Sequence, residues 1–281
     1  MKLISNKRVL DLFNTQVMGI LNLTPDSFYD GGLYNTLSKS IDHVSKMINY
    51  GATLIDIGGE STRPGSNRIS DEEEANRVLP ILREIMNRFD VFISINTSSA
   101  LVMSESIKLG VHLINDIRSF DSEESLRVAV CSELLVCVMH MKNSMHYSDI
   151  LHEVDNYFKE QIVRFELAGM NRTQLLLDPG FGFGKTVSDN YRLLSNLNYF
   201  HHFNLPLLVG VSRKSMFNLN GINNAMSSLP KHRLIASVSA VVIAAMKGVQ
   251  IVRVHDVKET MEALNVVRVV QKNHQDREMA K

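Results

Sequence analysis

Cysteine is scarce in this chain: Cys131 and Cys137 are its only two. They lie in one helix-to-strand segment with no Cys or His grouping of the kind that builds a metal site, so neither a disulfide framework nor a zinc site is expected. Net charge is missing too. Thirty Lys and Arg balance thirty Asp and Glu, which leaves no bulk field to draw nucleic acid or an anionic membrane, and any anion site has to be local. Long hydrophobic runs are also lacking. The N-terminal segment MKLISNKRVLDL becomes charged before a secretory apolar region can form, and the longest apolar stretch, Leu234 to Met246, is short of the about 20 residues that a membrane helix requires. No low-complexity tract or Pro/Gly/Ser-rich linker interrupts the chain. The expectation is a cytoplasmic protein of a reducing compartment, with neither nucleic acid nor membrane as partner.

Hydrophobic residues make up 44% of the 281 residues, enough to fill a sizeable core. Eight short apolar runs recur: Val17 to Asn22, Leu54 to Gly58, Phe92 to Asn96, Leu113 to Asp116, Leu135 to Met139, Leu175 to Asp178, Pro206 to Val211 and Ile251 to His255. Continuous apolarity, as in VMGIL or LPLLVGV, suits strands buried on both faces, the condition of a parallel sheet. Amphipathic segments lie between them and predict helices over Leu37 to Asn49, Asp71 to Arg88, Ala100 to Leu109, Ile150 to Ala168 and Leu234 to Met246. Gly51, Gly110, Gly169 and Gly248 fall just after helical stretches, where a left-handed cap is expected. Eight alternating units favour an α/β fold of the (β/α)8 TIM-barrel kind over an open doubly wound sheet. Residues 1–281 are read as a single domain with its core from about 15 to 272.

In such a barrel the active site gathers at the C-terminal ends of the strands. Polar residues sit there repeatedly: Asn22, Glu60, Asn96, Asn115 with Asp116, Asp178, the run Ser212, Arg213, Lys214 and Ser215, and Arg253 with His255. Each taken singly also reads as a loop former or helix cap. Two loops, LTPDSFYDGG at 23–32 and GGESTRPGS at 58–66, combine tight-turn residues with hydrogen-bonding groups and look like mobile loops with an anion to hold. Arg63 is the discriminating residue, because a guanidinium clamps phosphate or carboxylate bidentately. The segment DPGFGFGK, Asp178 to Lys185, lacks the Walker A spacing, so nucleotide binding by that route is rejected. Its glycines instead allow close backbone approach beneath a flat ligand, with Phe183 offering a ring face and Phe181 read as core.

The segments MGILNLTPDSFYDGG, IDIGGESTRPGS, INDIRS, LLLDPGFGFGK, LLVGVSRKSM and IVRVHDVKET, in that order, resemble the dihydropteroate synthase family from about Val17 to Val270. The resemblance implies an enzyme that condenses 6-hydroxymethyl-7,8-dihydropterin pyrophosphate with p-aminobenzoate, giving 7,8-dihydropteroate and pyrophosphate in folate biosynthesis. It implies a pterin pocket of Asn96, Asn115, Asp178 and Lys214, and a pyrophosphate site of Asn22, Thr62, Arg63, Arg253 and His255. Mg2+ is then held at Asn22, and p-aminobenzoate lies among Phe28, Thr62, Pro64, Phe183, Lys214 and Ser215. Arg63, Lys214, Arg253 and His255 are the groups expected to act on the reacting atoms. A homodimer and sensitivity to sulfonamides, which mimic p-aminobenzoate, are further implications. Apolar positions such as Val242, Ile243 and Val267 either form an exposed stripe for such a dimer or pack into the core.

The physical chemistry agrees. A pterin edge presents a 2-amino group and a ring N–H that a carboxylate accepts as a pair, while Lys214 and an amide such as Asn115 donate to ring oxygen or nitrogen. As the C–O bond to pyrophosphate breaks, negative charge grows on the leaving group and positive charge on the pterin methylene, so cations belong at one end and acceptors at the other. An aromatic amine is neutral near pH 7 and requires no strong base.

Three places depart from the family pattern. The third strand ends SINTS, with Asn96 where the family has aspartate. If that carboxylate stabilises the developing pterin cation, its loss costs about 2–4 kcal/mol and gives a slower enzyme; alternatively the amide accepts the same ring hydrogen bond. After MHMK the stretch NSMHYSDI is short, and His140 and His146 are read as structural or solvent-facing. The segment FNLNGINNAMSSLPKHR is rich in asparagine, so the following helix starts late. Two rivals remain to be separated, a methyltransferase that binds methylated pterin and a non-catalytic or weakly active pterin-binding paralogue.

Overall fold

The computed structural model describes residues 1–23, 37–60, 69–142, 147–218 and 233–279. Phe28, Thr62, Arg63, Pro64 and His146 lie outside the described residues. The chain begins with an antiparallel pair, β1 (Lys2–Ser5) and β2 (Arg8–Asp11). Then follow β3 (Gln16–Asn22), α1 (Leu37–Asn49), β4 (Leu54–Gly58), α2 (Asp71–Arg88), β5 (Phe92–Asn96), α3 (Ala100–Leu109), β6 (Leu113–Asp116), α4 (Glu123–Cys131), β7 (Leu135–Met139) and α5 (Ile150–Leu167). The last units are β8 (Leu175–Asp178), α6 (Val187–Ser195), β9 (Leu208–Val209), α7 (Leu234–Met246), β10 (Ile251–Val254) and α8 (Val257–Met279).

Strands β3 to β10 pair in parallel in the order β8-β7-β6-β5-β4-β3-β10-β9. The two ends of that sheet meet at one bridge, Leu177 with Leu207, where the Leu177 N–H donates to the Pro206 carbonyl at 2.9 Å. Eight parallel strands thus form a nearly closed barrel surrounded by helices. The strand expected over 206–211 shrinks to two residues, because Pro206 has no N–H to give and the closure there is a single bridge.

Local chemistry explains the helices. Ser70 caps α2 by accepting the Glu73 N–H, and Asp71, Glu72, Glu73 and Glu74 place negative charge at its positive end. In α1 the buried Ile41, Val44 and Met47 recur at helical spacing and turn one face to the sheet. All four glycines expected as caps adopt positive φ.

Period-two alternation divides every strand between two cores. The outward residues, such as Ile55, Ile57, Ile93, Ile95, Val136 and Val138, join the helices in one large cluster. The inward residues at the N-terminal end, including Met18, Leu54, Phe92, Leu113, Leu135 and Ile251, form a second cluster with Leu3, Leu10 and Leu12 of the hairpin. The hairpin therefore plugs the bottom of the barrel. Its two turn residues, Asn6 and Lys7, both have positive φ, as a two-residue primed turn demands. Ser5 Oγ donates to the His112 carbonyl at 2.6 Å, Asn6 donates to the Gly110 carbonyl at 3.0 Å, and Arg8 pairs with Asp90. On the last helices, Val267 is core and Val242 packs against the core, whereas Ile235, Ile243, Val266 and Val269 are exposed. Among the described residues no helix is long and apolar enough to cross a membrane.

Candidate active site

The interior changes character along each strand. In β4 the inward series is Leu54, Asp56, Gly58; in β5 it is Phe92, Ser94, Asn96; in β10 it is Ile251, Arg253, followed by His255 just past the strand end. Register then sets these residues side by side: Asn22 pairs with Gly58, Gly58 with Asn96, and Asn96 with Asn115, so one row of the ladder carries them around the C-terminal mouth. Asn96, Asn115 and Asp178 are buried there, and Asn22, Arg253 and His255 are half-buried.

At the centre of this layer lies a residue that a search of strand ends misses. Asp56 is fully buried, and its carboxylate accepts from Ser94 Oγ at 2.5 Å, Asn96 Nδ2 at 3.1 Å, Asn115 Nδ2 at 3.3 Å and Arg253 Nε at 2.6 Å. An unpaired charge in such a position is costly, so an aspartate inside the apolar run LIDIG was the sequence signal for a cation opposite it.

Asp178 ends β8 and accepts the Gly180 N–H at 2.8 Å. Burial pushes its carboxyl up to about 6, opposed by that N–H and by Lys214, Lys185 and Arg253. Lys214 is pushed down to about 8 by desolvation and by Arg253, while Asp178 holds it up. Its Nζ lies 4.0 Å from the centre of the Phe183 ring, a cation–π contact. The glycine-rich loop between Asp178 and Phe183 depends on close approach: at Gly180, φ +69°, a Cβ would stand 2.0 Å from the His140 carbonyl oxygen, and at Gly182, φ +78°, 3.1 Å from Lys214 Cδ. Lys185 ties the loop down. Its buried Nζ donates to the carbonyls of Gly180 at 2.8 Å, His140 at 3.1 Å and Phe183 at 3.2 Å, and burial lowers it to about 7.

The segment after β9 is equally constrained. Arg213, at φ +57°, grips Asp256 through Nε at 3.0 Å and Nη2 at 2.5 Å, donates its N–H to Ser237 Oγ at 2.8 Å and accepts Arg233 Nη1 at 2.9 Å. This holds the backbone that carries Lys214; Ser215, the next residue, is exposed. His255 Nδ1 sits 3.0 Å from Ser212 Oγ.

Other polar residues at strand ends are structural. Asp116 lies on the opposite face of β6 from Asn115 and binds the N–H groups of Arg118 at 2.9 Å and Phe120 at 2.8 Å, besides Ser98. Glu60 forms a two-pronged pair with Arg118, 3.1 Å on each prong. Phe181 is core, as expected. His140 is completely buried and neither ring nitrogen has a hydrogen-bond partner among the described residues; burial, then Lys185 and Lys142, lowers it to about 3, so it stays neutral. Cys131 is exposed and Cys137 buried on an inward position of β7, both as free thiols.

Of the residues implied by the resemblance, nine are described: Asn96, Asn115 and Arg253 meet at Asp56, Lys214 meets Phe183, and Asp178 is coupled electrostatically to Lys214 and Arg253. The family model described as "Pterin binding enzyme" matches residues 18–255. The dihydropteroate synthase of Escherichia coli (strain K12) is 53% identical over 274 residues, covering 95% of this chain and 95% of that protein. That of Haemophilus influenzae is 43% identical over 273 residues, covering 95% and 98%. Among solved structures, the Yersinia pestis dihydropteroate synthase with a sulfonamide drug complex superimposes with a TM-score of 0.92 at 48% identity, covering 97% of this chain and 100% of that one. The chain belongs to the dihydropteroate synthase family of pterin-binding enzymes.

Proposed function

We propose that the barrel mouth divides the synthase reaction among its own residues as follows. The reaction joins the amine nitrogen of p-aminobenzoate to the pterin methylene while the C–O bond to diphosphate breaks; the bonding pair leaves with diphosphate, and the new secondary ammonium gives up a proton. Asp178 accepts the 2-amino and ring N–H donors of the pterin, Lys214 and Asn115 meet its other heteroatoms, and Asn96 supplies an amide in place of a carboxylate. Arg253, with Arg63 and His255, faces the departing diphosphate. Thr62 joins that diphosphate site; Phe28, Thr62, Pro64 and Ser215 complete the p-aminobenzoate site beside the Phe183 ring and Lys214. The single observation that carries this reading is the meeting of two acids, one ammonium, two amides and one guanidinium at the C-terminal mouth, with Asn96, Asn115 and Arg253 on Asp56 and with Asp178 in electrostatic reach of Lys214 and Arg253.

Asn22 offers a hard, neutral oxygen at the end of β3, which suits Mg2+ whose shell is completed by substrate oxygens and water. Mg2+ bound there would offset the charge growing on diphosphate. We assign the protein to the cytoplasm and infer a homodimer through the exposed Ile235, Ile243, Val266 and Val269; sedimentation at twice the chain mass is the expected result, and a monomer at micromolar concentration contradicts it.

The test is release of diphosphate from 6-hydroxymethyl-7,8-dihydropterin diphosphate with purified protein and Mg2+. Release that requires p-aminobenzoate, and that a sulfonamide inhibits competitively against it, is expected. Pterin binding without release identifies a non-catalytic paralogue instead.

A further inference from the structure

This inference rests on the functional reading above and deepens its pterin pocket. A carboxylate only accepts hydrogen bonds, so each polar neighbour of Asp56 must turn a donor toward it. Asn96 and Asn115 therefore both point Nδ2 at Asp56, and their carbonyl oxygens face elsewhere. Arg253 is caught through Nε, the edge of the fork that leaves both terminal NH2 groups for another acceptor. A buried ion pair of this kind adds little net stability compared with apolar packing, whereas its effect on orientation reaches three side chains on three strands.

We propose that Asp56 is the positioning residue of the pterin pocket: of the two amide orientations open to Asn96 and Asn115, it selects the one that presents carbonyl oxygens to the heterocycle. The pocket then prefers a ring edge bearing N–H donors, and Arg253 keeps its terminal nitrogens directed at the substrate. Asp56 itself touches no substrate in this arrangement.

The test is steady-state kinetics of the full chain with 6-hydroxymethyl-7,8-dihydropterin diphosphate and p-aminobenzoate. In Asp56→Asn a single neutral oxygen is left for Asn96 Nδ2, Asn115 Nδ2 and Arg253 Nε, which all meet one charged carboxylate oxygen in the wild type, and the new NH2 stands beside Asn115 Nδ2, so the hold on both amides weakens. The expected KM for the dihydropterin diphosphate rises about 10- to 100-fold while that for p-aminobenzoate stays within about twofold. The exchanged pair, Asp56→Asn with Asn96→Asp, restores a carboxylate facing an amide and is expected to recover about tenfold of the loss. Unchanged pterin KM in Asp56→Asn, or an exchange that recovers nothing, overturns the proposal. Should Asp56→Asn not fold, Ser94→Ala removes only the 2.5 Å hydroxyl donor; a pterin KM raised about two- to fivefold at constant p-aminobenzoate KM is expected, and equal values for both substrates overturn the proposal. A wild-type protein that does not turn over the substrate pair sinks the functional reading and this one with it, whereas an active wild type with insensitive variants sinks only the role of Asp56.

Discussion

The two ends of the barrel interior are built from the same strands and do opposite things. At the N-terminal end Leu54, Phe92, Leu113 and Ile251 pack against Leu3, Leu10 and Leu12 of the plugging hairpin in one apolar cluster. Two residues further along each strand stand Asp56, Ser94, Asn115 and Arg253, joined by hydrogen bonds and an ion pair. The apolar end holds the fold by burial, about 1.5–3 kcal/mol for each large side chain. The polar end adds little to stability and specifies orientation instead. A rigid base under an electrostatically organised mouth is how this architecture separates folding from chemistry.

The comparison is broken most forcefully at the base. Phe92→Ala leaves a cavity against the hairpin and is expected to destabilise the protein by about 3–5 kcal/mol in denaturant unfolding, with little change in either KM for the folded fraction. A stable variant with damaged substrate binding would reverse the assignment of roles. At the mouth, Lys214→Gln is expected to lower kcat/KM about 10²- to 10³-fold without loss of stability, because an ammonium pushed down to about 8 is better tolerated as a neutral group.

A third change sharpens the contrast from outside the barrel. Glu74 on α2 is buried, with Oε1 lacking a partner among the described residues, and burial raises it from 4.5 to about 7 despite a hydrogen bond from Thr97. Its folded value lies above its unfolded one, so the unfolded chain releases this proton first and stability falls as pH rises from about 4.5 through 7. Glu74→Gln is therefore expected to raise stability at pH 8 by up to about 3 kcal/mol and to change little at pH 4; equal midpoints at pH 8 would refute that. The smallest effect is expected from Asn96→Asp. With the Asp56 carboxylate already 3.1 Å from this side chain, the two acids share one proton, which keeps a donor on Asp56; turnover should stay within about tenfold of wild type, and a rise of about 10²-fold would show that the missing charge acts directly on the reaction.

Much of this was legible in the sequence where one physical signal dominated. Leu54–Gly58 and Phe92–Asn96 coincide with their apolar runs because strands buried on both faces admit little else. The hairpin escaped notice because its turn, Asn6-Lys7, lacks glycine, and its alternation is only four residues long on each side. The site was partly legible for a related reason. Asn96, Asn115 and Asp178 stand at strand ends, where polar residues are visible against apolar neighbours. Asp56 and Ser94 lie within the strands, and only the inward period of two groups them with Arg253. Lys185 closes the motif DPGFGFGK, but nothing in that spacing tells that its ammonium turns back to fasten the glycine-rich loop through three carbonyls.

The central claim is that the Asp178 carboxylate, close to the Lys214 ammonium, grips a pterin edge. Calorimetric titration of 6-hydroxymethyl-7,8-dihydropterin diphosphate at pH 7 into wild type and Asp178→Asn, with thermal unfolding alongside, tests it most directly. The expected result is affinity at least about 30-fold weaker in the variant at an unfolding midpoint no lower than that of wild type. Equal affinity in the two proteins would contradict it.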